Sequence, residues 1–257
     1  MMGLGCVPPE QPDDTRVAVE AALEAGYRLI DTASVYENEA EVGRAINGSS
    51  IPRQDIFLTT KVWNSDQGYD RTLAAFDRSL ELLGLEYIDL YLLHWPLIRL
   101  RKESWRALEQ LVTDGRCRAI GVSNYAVRHL QELLSSSSSV PVVNQVEYNP
   151  FLHQRQLQEW CRTHNIQLMT HTPMPHRPRR RAKPLLEMAS RYGRTPAQMM
   201  IRWALQKDVA VLTRASTPEE IRSNGQVFDF EIGLKDLDIL DGLHQNLRVG
   251  WDPTKSP

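Results

Sequence analysis

Four residues in the first half of the chain, Asp31, Tyr36, Lys61 and His94, have side chains suited to moving a proton. Asp31, Lys61 and His94 each close a short apolar run, at residues 27–31, 56–61 and 88–94. Tyr36 follows Asp31 in the loop DTASVYENE, close enough to fold back over the same end. A phenol titrates near pKa ~10, so it needs a cation beside it to work near neutrality. Lys61 could supply the cation, Asp31 could hold the lysine, and His94 could hydrogen-bond the same oxygen. Such a set would protonate a developing alkoxide without a metal. The plainer reading is that strand ends become polar at any surface and that Tyr36 merely covers apolar side chains. For Asp31, Lys61 and His94 together it is weaker, because charges that follow buried runs must be paired or neutralised.

Convergence of these residues requires elements that bring distant strand ends together. Eight short apolar, β-branched runs recur, at residues 3–7, 27–31, 56–61, 88–94, 117–123, 142–147, 166–171 and 209–213. Helical spacing fills the intervals, as in Leu73, Phe76, Leu80 and Leu83, then Trp105, Leu108 and Val112, then Leu157 and Trp160. Near-continuous apolar strands alternating with helices imply a parallel sheet covered on both faces. Eight repeats in 257 residues fit one (β/α)₈ TIM-barrel domain over 1–257 better than an open doubly wound sheet. Gly84 after Leu83 and the pair Thr195–Pro196 read as a helix end and a helix start. The serine run 135–139 reads as a connector. Helical stretches 218–227 and 234–247 follow the eighth strand, and the second is expected as an extra C-terminal helix outside the barrel. In such a barrel all C-terminal strand ends meet at one face, which carries the active site. Ser123, Asn124, Glu147 and His171 also fall at strand ends.

Composition excludes several partners. Hydrophobic residues make up 42%, charged ones 24%, and the net charge is −2, so there is no basic field for nucleic acid or an anionic membrane. Cys6, Cys117 and Cys161 lack ligand spacing, which argues against a disulfide framework and a structural zinc. No run approaches the roughly 20 apolar residues of a membrane helix, and the N-terminus lacks the pattern of a signal peptide. A cytoplasmic monomer acting on a small molecule, with no metal, is expected.

The segments DTASVYENEAEVGRAI, LEYIDLYLLHWP and GRCRAIGVSNY resemble signature segments of the aldo-keto reductases, in order and at the expected intervals, particularly the compact, short-loop members. The likeness extends over 3–253. It implies a (β/α)₈ barrel that reduces aldehydes and ketones with NAD(P)H and binds the cofactor without a Rossmann fold, so a missing Gly-rich loop does not count against nicotinamide. It also implies that Tyr36 is the general acid, that Lys61 lowers its pKa, that Asp31 orients Lys61 and that His94 positions the carbonyl. By the same resemblance Ser123, Asn124 and Gln145 hold the nicotinamide carboxamide. His171, followed by Thr172, stands where members usually carry a stacking tyrosine. Val35, Trp63 and Trp95 line a substrate pocket suited to apolar or aromatic carbonyl compounds, left open by the short connection 96–103.

Departures from the family pattern bear on the cofactor. In the segment that clamps the adenosine 2′-phosphate, Arg214 replaces a lysine, Asn224 is retained, and Glu220 stands where an arginine is usual. Arg214 can bind phosphate bidentately. Two like charges about 4 Å apart repel by roughly 4 kcal/mol at an effective dielectric of 20, so Glu220 opposes phosphate binding. NADP(H) is favoured and NAD(H) stays possible. Arg177, Arg179, Arg180, Arg181 and Lys183 could compensate from the loop after strand seven. The alternative function is a catalytically weak cofactor sensor or regulatory subunit of the same fold, against which the intact tetrad argues. A metal-dependent barrel hydrolase would want a His-x-His pair at a strand end, and none occurs. The resemblance also implies an N-terminal hairpin under the barrel; this sequence starts almost within the first strand, so an uncovered barrel floor of lower stability is expected.

Overall fold

Parallel pairing runs unbroken around the molecule, from strand to neighbouring strand and from the last back to the first. The computed structural model describes residues 1–8, 11, 13–174, 181–215 and 217–255. Its strands are β1 (Met2–Gly5), β2 (Leu29–Asp31), β3 (Phe57–Val62), β4 (Ile88–Leu93), β5 (Cys117–Ser123), β6 (Val143–Val146), β7 (Gln167–Thr170) and β8 (Ala210–Thr213). They form a closed barrel in sequence order, with Gly3 of β1 opposite Leu212 of β8. Each overlaps one of the eight apolar runs.

Helices α1 (Asp14–Glu24), α2 (Glu39–Gly48), α3 (Tyr69–Leu83), α4 (Arg101–Thr113), α5 (Val127–Leu134) and α6 (Arg155–Thr163) follow β1 to β6 in turn. Two helices, α7 (Lys183–Tyr192) and α8 (Pro196–Gln206), follow β7; α9 (Pro218–Gly225) follows β8; and α10 (Leu234–Asp241) comes last. This is a (β/α)₈ fold. The Thr195 hydroxyl accepts from the Gln198 N–H at 3.1 Å, capping α8, and Gly84 ends α3 in the left-handed conformation, φ 61°.

Three expectations about helices are corrected. The extra C-terminal helix exists but stops at Asp241: Gly242 is a poor helix former, and beyond it Gln245 donates to the Phe151 carbonyl at 3.0 Å, which draws the chain onto the loop after β6. Outside the barrel, α10 is held by Asp236, which pairs with Arg191 at 2.6 Å and accepts from Tyr192 Oη at 2.8 Å. A second surplus helix, α7, precedes α8; it is short, and Leu185, Met188 and Ala189 form its buried face. In α4 the buried position belongs to Leu111, whereas Val112 is exposed.

The core has two parts. Strand residues facing outward pack with the helices, whereas Leu29, Leu90, Leu92, Val143, Met169, Ala210 and Leu212 fill the barrel interior. Side chains alternate along a strand, so the residue two places beyond an interior one also points inward. Two places beyond Leu29, Leu92, Val143, Met169 and Leu212 stand Asp31, His94, Gln145, His171 and Arg214. The apolar plug thus carries a polar layer on its C-terminal side. At the other end, an apolar cavity of about 320 Å³ is bounded by Met1, Phe57, Leu90, Val143, Met169 and Ala210, among others. Helices α2 and α3 meet at Gly43, where an added Cβ would come 2.2 Å from the Leu83 carbonyl oxygen. Gly43→Ala should therefore destabilise the protein by about 2 kcal/mol or more in urea unfolding; an unaltered midpoint would contradict this close packing.

Candidate active site

Lys61 is fully buried inside the C-terminal mouth of the barrel. Its Nζ donates to Asp31 Oδ1 at 2.5 Å and to the Thr32 carbonyl at 2.7 Å. Gln145, from β6 on the far side, donates through Nε2 to Asp31 Oδ2 at 2.7 Å. Both carboxylate oxygens are therefore engaged. Burial raises the Asp31 carboxyl above its ordinary range, opposed by the charge of Lys61 and by both hydrogen bonds.

After β2 the chain makes a 3₁₀ turn, Ser34–Tyr36. The Ser34 hydroxyl donates to the Lys61 carbonyl at 3.0 Å, which ties this turn to β3. Tyr36 thereby leans over the pair, with Lys61 Nζ 5.4 Å from its ring centroid. The His94 ring stands edge-on to Tyr36 at 5.9 Å and to Trp63 at 5.0 Å. Burial, followed by the positive charge of Lys61, pushes the His94 pKa well below its usual value, so its imidazole is neutral at physiological pH. Its Nδ1 is buried with no hydrogen-bond partner among the described residues. Val35 in the same turn, Trp63 and Trp95 are all half-buried around this group. The Trp95 carbonyl accepts from Gln67 Nε2 at 2.7 Å.

A second group lies at the ends of β5, β6 and β7. Ser123 Oγ donates to the Gln145 carbonyl at 2.8 Å. Asn124, in the left-handed region at φ 63°, donates through Nδ2 to the His94 carbonyl at 3.0 Å and to Ser123 Oγ at 3.1 Å. His171 is suspended between neighbours, with Nε2 3.4 Å from Asn124 Oδ1 and Nδ1 2.7 Å from Thr172 Oγ1. Burial, with the charges of Arg214 and Lys61, lowers its pKa to about 3, so it presents a neutral ring. Hydroxyl and amide groups on neighbouring strand ends beside a flat neutral ring suit a nicotinamide and its carboxamide.

Arg214 lies exposed just past β8, near enough for its charge to act on His94 and His171. Asn224 is buried in α9, and Glu220 is exposed in the first turn of that helix. Of the basic loop, Arg181 is exposed and Lys183 pairs with Glu187 at 3.7 Å; Arg177, Arg179 and Arg180 lie outside the described residues. Among the described residues no cluster of three or more His, Cys, Asp and Glu is placed to hold a metal, and no helix is long and apolar enough to cross a membrane.

Two contacts were not foreseen. The amide of Gln145 faces Asp31, which leaves its Oε1 as the acceptor toward a carboxamide. Trp251, from the C-terminal segment, stands 5.5 Å from Trp95, ring to ring. Its only signal in the sequence is a lone aromatic in the polar stretch RVGWDP.

The model of the Aldo/keto reductase family matches residues 2–177 and 175–245. The chain belongs to this family. A glyoxal reductase of Bacillus subtilis is 44% identical over 251 residues, 98% of this chain and 91% of the relative. The crystal structure of MGS-M4, an aldo-keto reductase from a deep-sea metagenome library, superposes with a TM-score of 0.94 at 41% identity, covering 97% and 93% of the two chains. A Bombyx mori aldo-keto reductase in complex with NADP has a TM-score of 0.91 at 31% identity, covering 96% and 90%. The protein is thus an oxidoreductase of carbonyl compounds, and no observation favours a regulatory subunit.

Neutral histidines of lowered pKa link the reductase's stability to pH. The folded pKa of His171, about 3, lies below the unfolded value of ~6.5. The unfolded state therefore binds more protons between those values, and stability is full above pH ~6.5 and falls as pH drops toward 3. His171→Gln should lose less unfolding free energy than the parent between pH 7 and pH 5 in urea titrations; equal losses would contradict a His171 kept neutral by the fold.

Proposed function

We propose that this reductase converts small aldehydes and ketones to alcohols with NADPH, using Tyr36 as the general acid. The observation that carries the reading is the buried Lys61 ammonium, fixed 2.5 Å from Asp31 Oδ1 and 5.4 Å from the Tyr36 ring. The bound nicotinamide supplies the hydride. The residues of the chain manage the carbonyl oxygen and its proton.

Tyr36 Oη donates its proton to the oxygen as negative charge develops there. The Lys61 ammonium stabilises the phenolate left behind, and its charge is held in place by Asp31 and the Thr32 carbonyl. His94, neutral at working pH, donates a hydrogen bond from the ring nitrogen that faces the cleft and so orients the carbonyl toward Tyr36. General acid catalysis of this kind contributes about 10² to 10⁴ in rate. Val35, Trp63 and Trp95 give the carbonyl compound an apolar cleft.

Ser123, Asn124 and the Gln145 Oε1 would hold the carboxamide, with His171 against the ring and Thr172 fixing His171. Arg214 would take the 2′-phosphate, and Asn224 would support that end from α9. The Bombyx mori neighbour in complex with NADP supports this cofactor, and the Bacillus subtilis relative named a glyoxal reductase supports a small aldehyde as substrate. Glu220 limits the preference over NADH.

Cofactor oxidation should be followed for NADPH and NADH against a panel of aldehydes and ketones, beginning with glyoxal. Turnover with NADPH is expected for the parent. Tyr36→Phe should lose at least about 100-fold in kcat while still quenching in fluorescence titrations with NADPH. Unaltered turnover in that variant would refute the assignment of the acid.

A further inference from the structure

Glu147 is a strand-end charge to which carbonyl reduction assigns no task. It lies two residues beyond Gln145, just past β6, and is buried. Its carboxylate accepts the Val249 N–H at 2.8 and 3.0 Å and the Gly250 N–H at 3.3 Å. The same loop reaches the C-terminal segment a second way. Gln154 donates to the Glu147 carbonyl at 2.6 Å and accepts from Arg248 at 2.9 Å. Farther on, Arg128 donates to the Thr254 carbonyl at 3.0 Å.

These bonds fix a strap that has no helix of its own between the end of α10 and the 3₁₀ turn Pro253–Lys255. All three anchors are charge-assisted, which makes such bonds about twice as strong as neutral ones, and the Glu147 carboxylate is the one that is buried and accepts from two successive backbone N–H groups. The strap borders the mouth on two sides. Trp251, 70% exposed, meets Trp95 at a ring separation of 5.5 Å, and the charge of Arg248 is felt at His171. An aromatic ring so exposed beside a half-buried one offers apolar area that a bulky substrate group would cover.

We propose that Glu147 is a positioning residue for substrate selection. Through the Val249 and Gly250 amides it holds the strap so that Trp251 stands against Trp95. The two rings then form the outer pocket wall for carbonyl compounds bearing an aromatic or branched apolar group. This rests on the carbonyl reduction proposed above.

The test compares glyoxal with benzaldehyde for the NADPH-loaded parent, Glu147→Gln, Glu147→Ala, Trp251→Ala and the double variant Glu147→Ala/Trp251→Ala. Hydrogen exchange of the C-terminal peptide is measured on the same proteins. In Glu147→Ala exchange in that peptide should accelerate by about tenfold or more, and the kcat/KM ratio of benzaldehyde to glyoxal should fall about tenfold, chiefly through KM. Trp251→Ala should lower the ratio to the same extent, the double variant no further, and Glu147→Gln, which keeps one acceptor oxygen, should fall between parent and alanine variant. Unaltered exchange, or equal losses on both aldehydes, would overturn the proposal. A parent that reduces neither aldehyde would instead sink the functional reading beneath it.

Discussion

The buried ion pair between Lys61 and Asp31 is the constraint around which the rest of the molecule is arranged. An ammonium and a carboxylate removed from water each cost several kcal/mol, which only close pairing and further hydrogen bonds offset. Here the ammonium also reaches the Thr32 carbonyl, and the second carboxylate oxygen takes the Gln145 amide. These partners come from β2, β3 and β6. A sheet with free edges would not bring β6 opposite β2; a closed one does. Barrel closure and the satisfaction of this pair are therefore one condition.

The same geometry sets the protonation of the surroundings. Two imidazoles, His94 and His171, share the mouth with Lys61 and Arg214, and burial together with those cations strips them of their protons. Of the two cations, Lys61 is the one that stands over the Tyr36 ring. In the proposed reaction the neutral rings would orient the carbonyl and stack on the nicotinamide. Beneath them the apolar plug of Leu29, Leu90, Leu92, Val143, Met169, Ala210 and Leu212 fills the barrel interior.

Much of this was readable in the sequence, for physical reasons. Strands buried on both faces are predominantly apolar, so eight apolar runs marked them, and the polar residues toward the end of each run marked the mouth. That logic pointed to Asp31, Lys61, His94, Ser123, Asn124, Glu147 and His171, whereas Gln145 and the role proposed for Tyr36 came from the family resemblance. Contacts across the barrel were not readable: the amide of Gln145 meets Asp31 because of closure and strand stagger, which no local pattern encodes. Helix α7 was missed because the one-helix-per-strand rhythm leaves no expectation of a second helix after β7, and its ten residues are too short a stretch to show a clear helical period. The helical reading of 234–247 ran past Gly242 because Leu243 keeps the spacing, whereas tertiary hydrogen bonds to the loop after β6 redirect the chain. Glu147 and Trp251 meet the site through the path of the C-terminal strap, which only the folded chain reveals.

The claim that a buried Lys61 ammonium, oriented by Asp31, supports proton donation by Tyr36 is tested most directly by the turnover of Lys61→Met. This variant keeps the side-chain length and removes the charge. At saturating NADPH and glyoxal, with folding verified by circular dichroism, kcat should fall by about 100-fold or more. A folded Lys61→Met protein turning over within about threefold of the parent, less than 1 kcal/mol in barrier, would contradict the account.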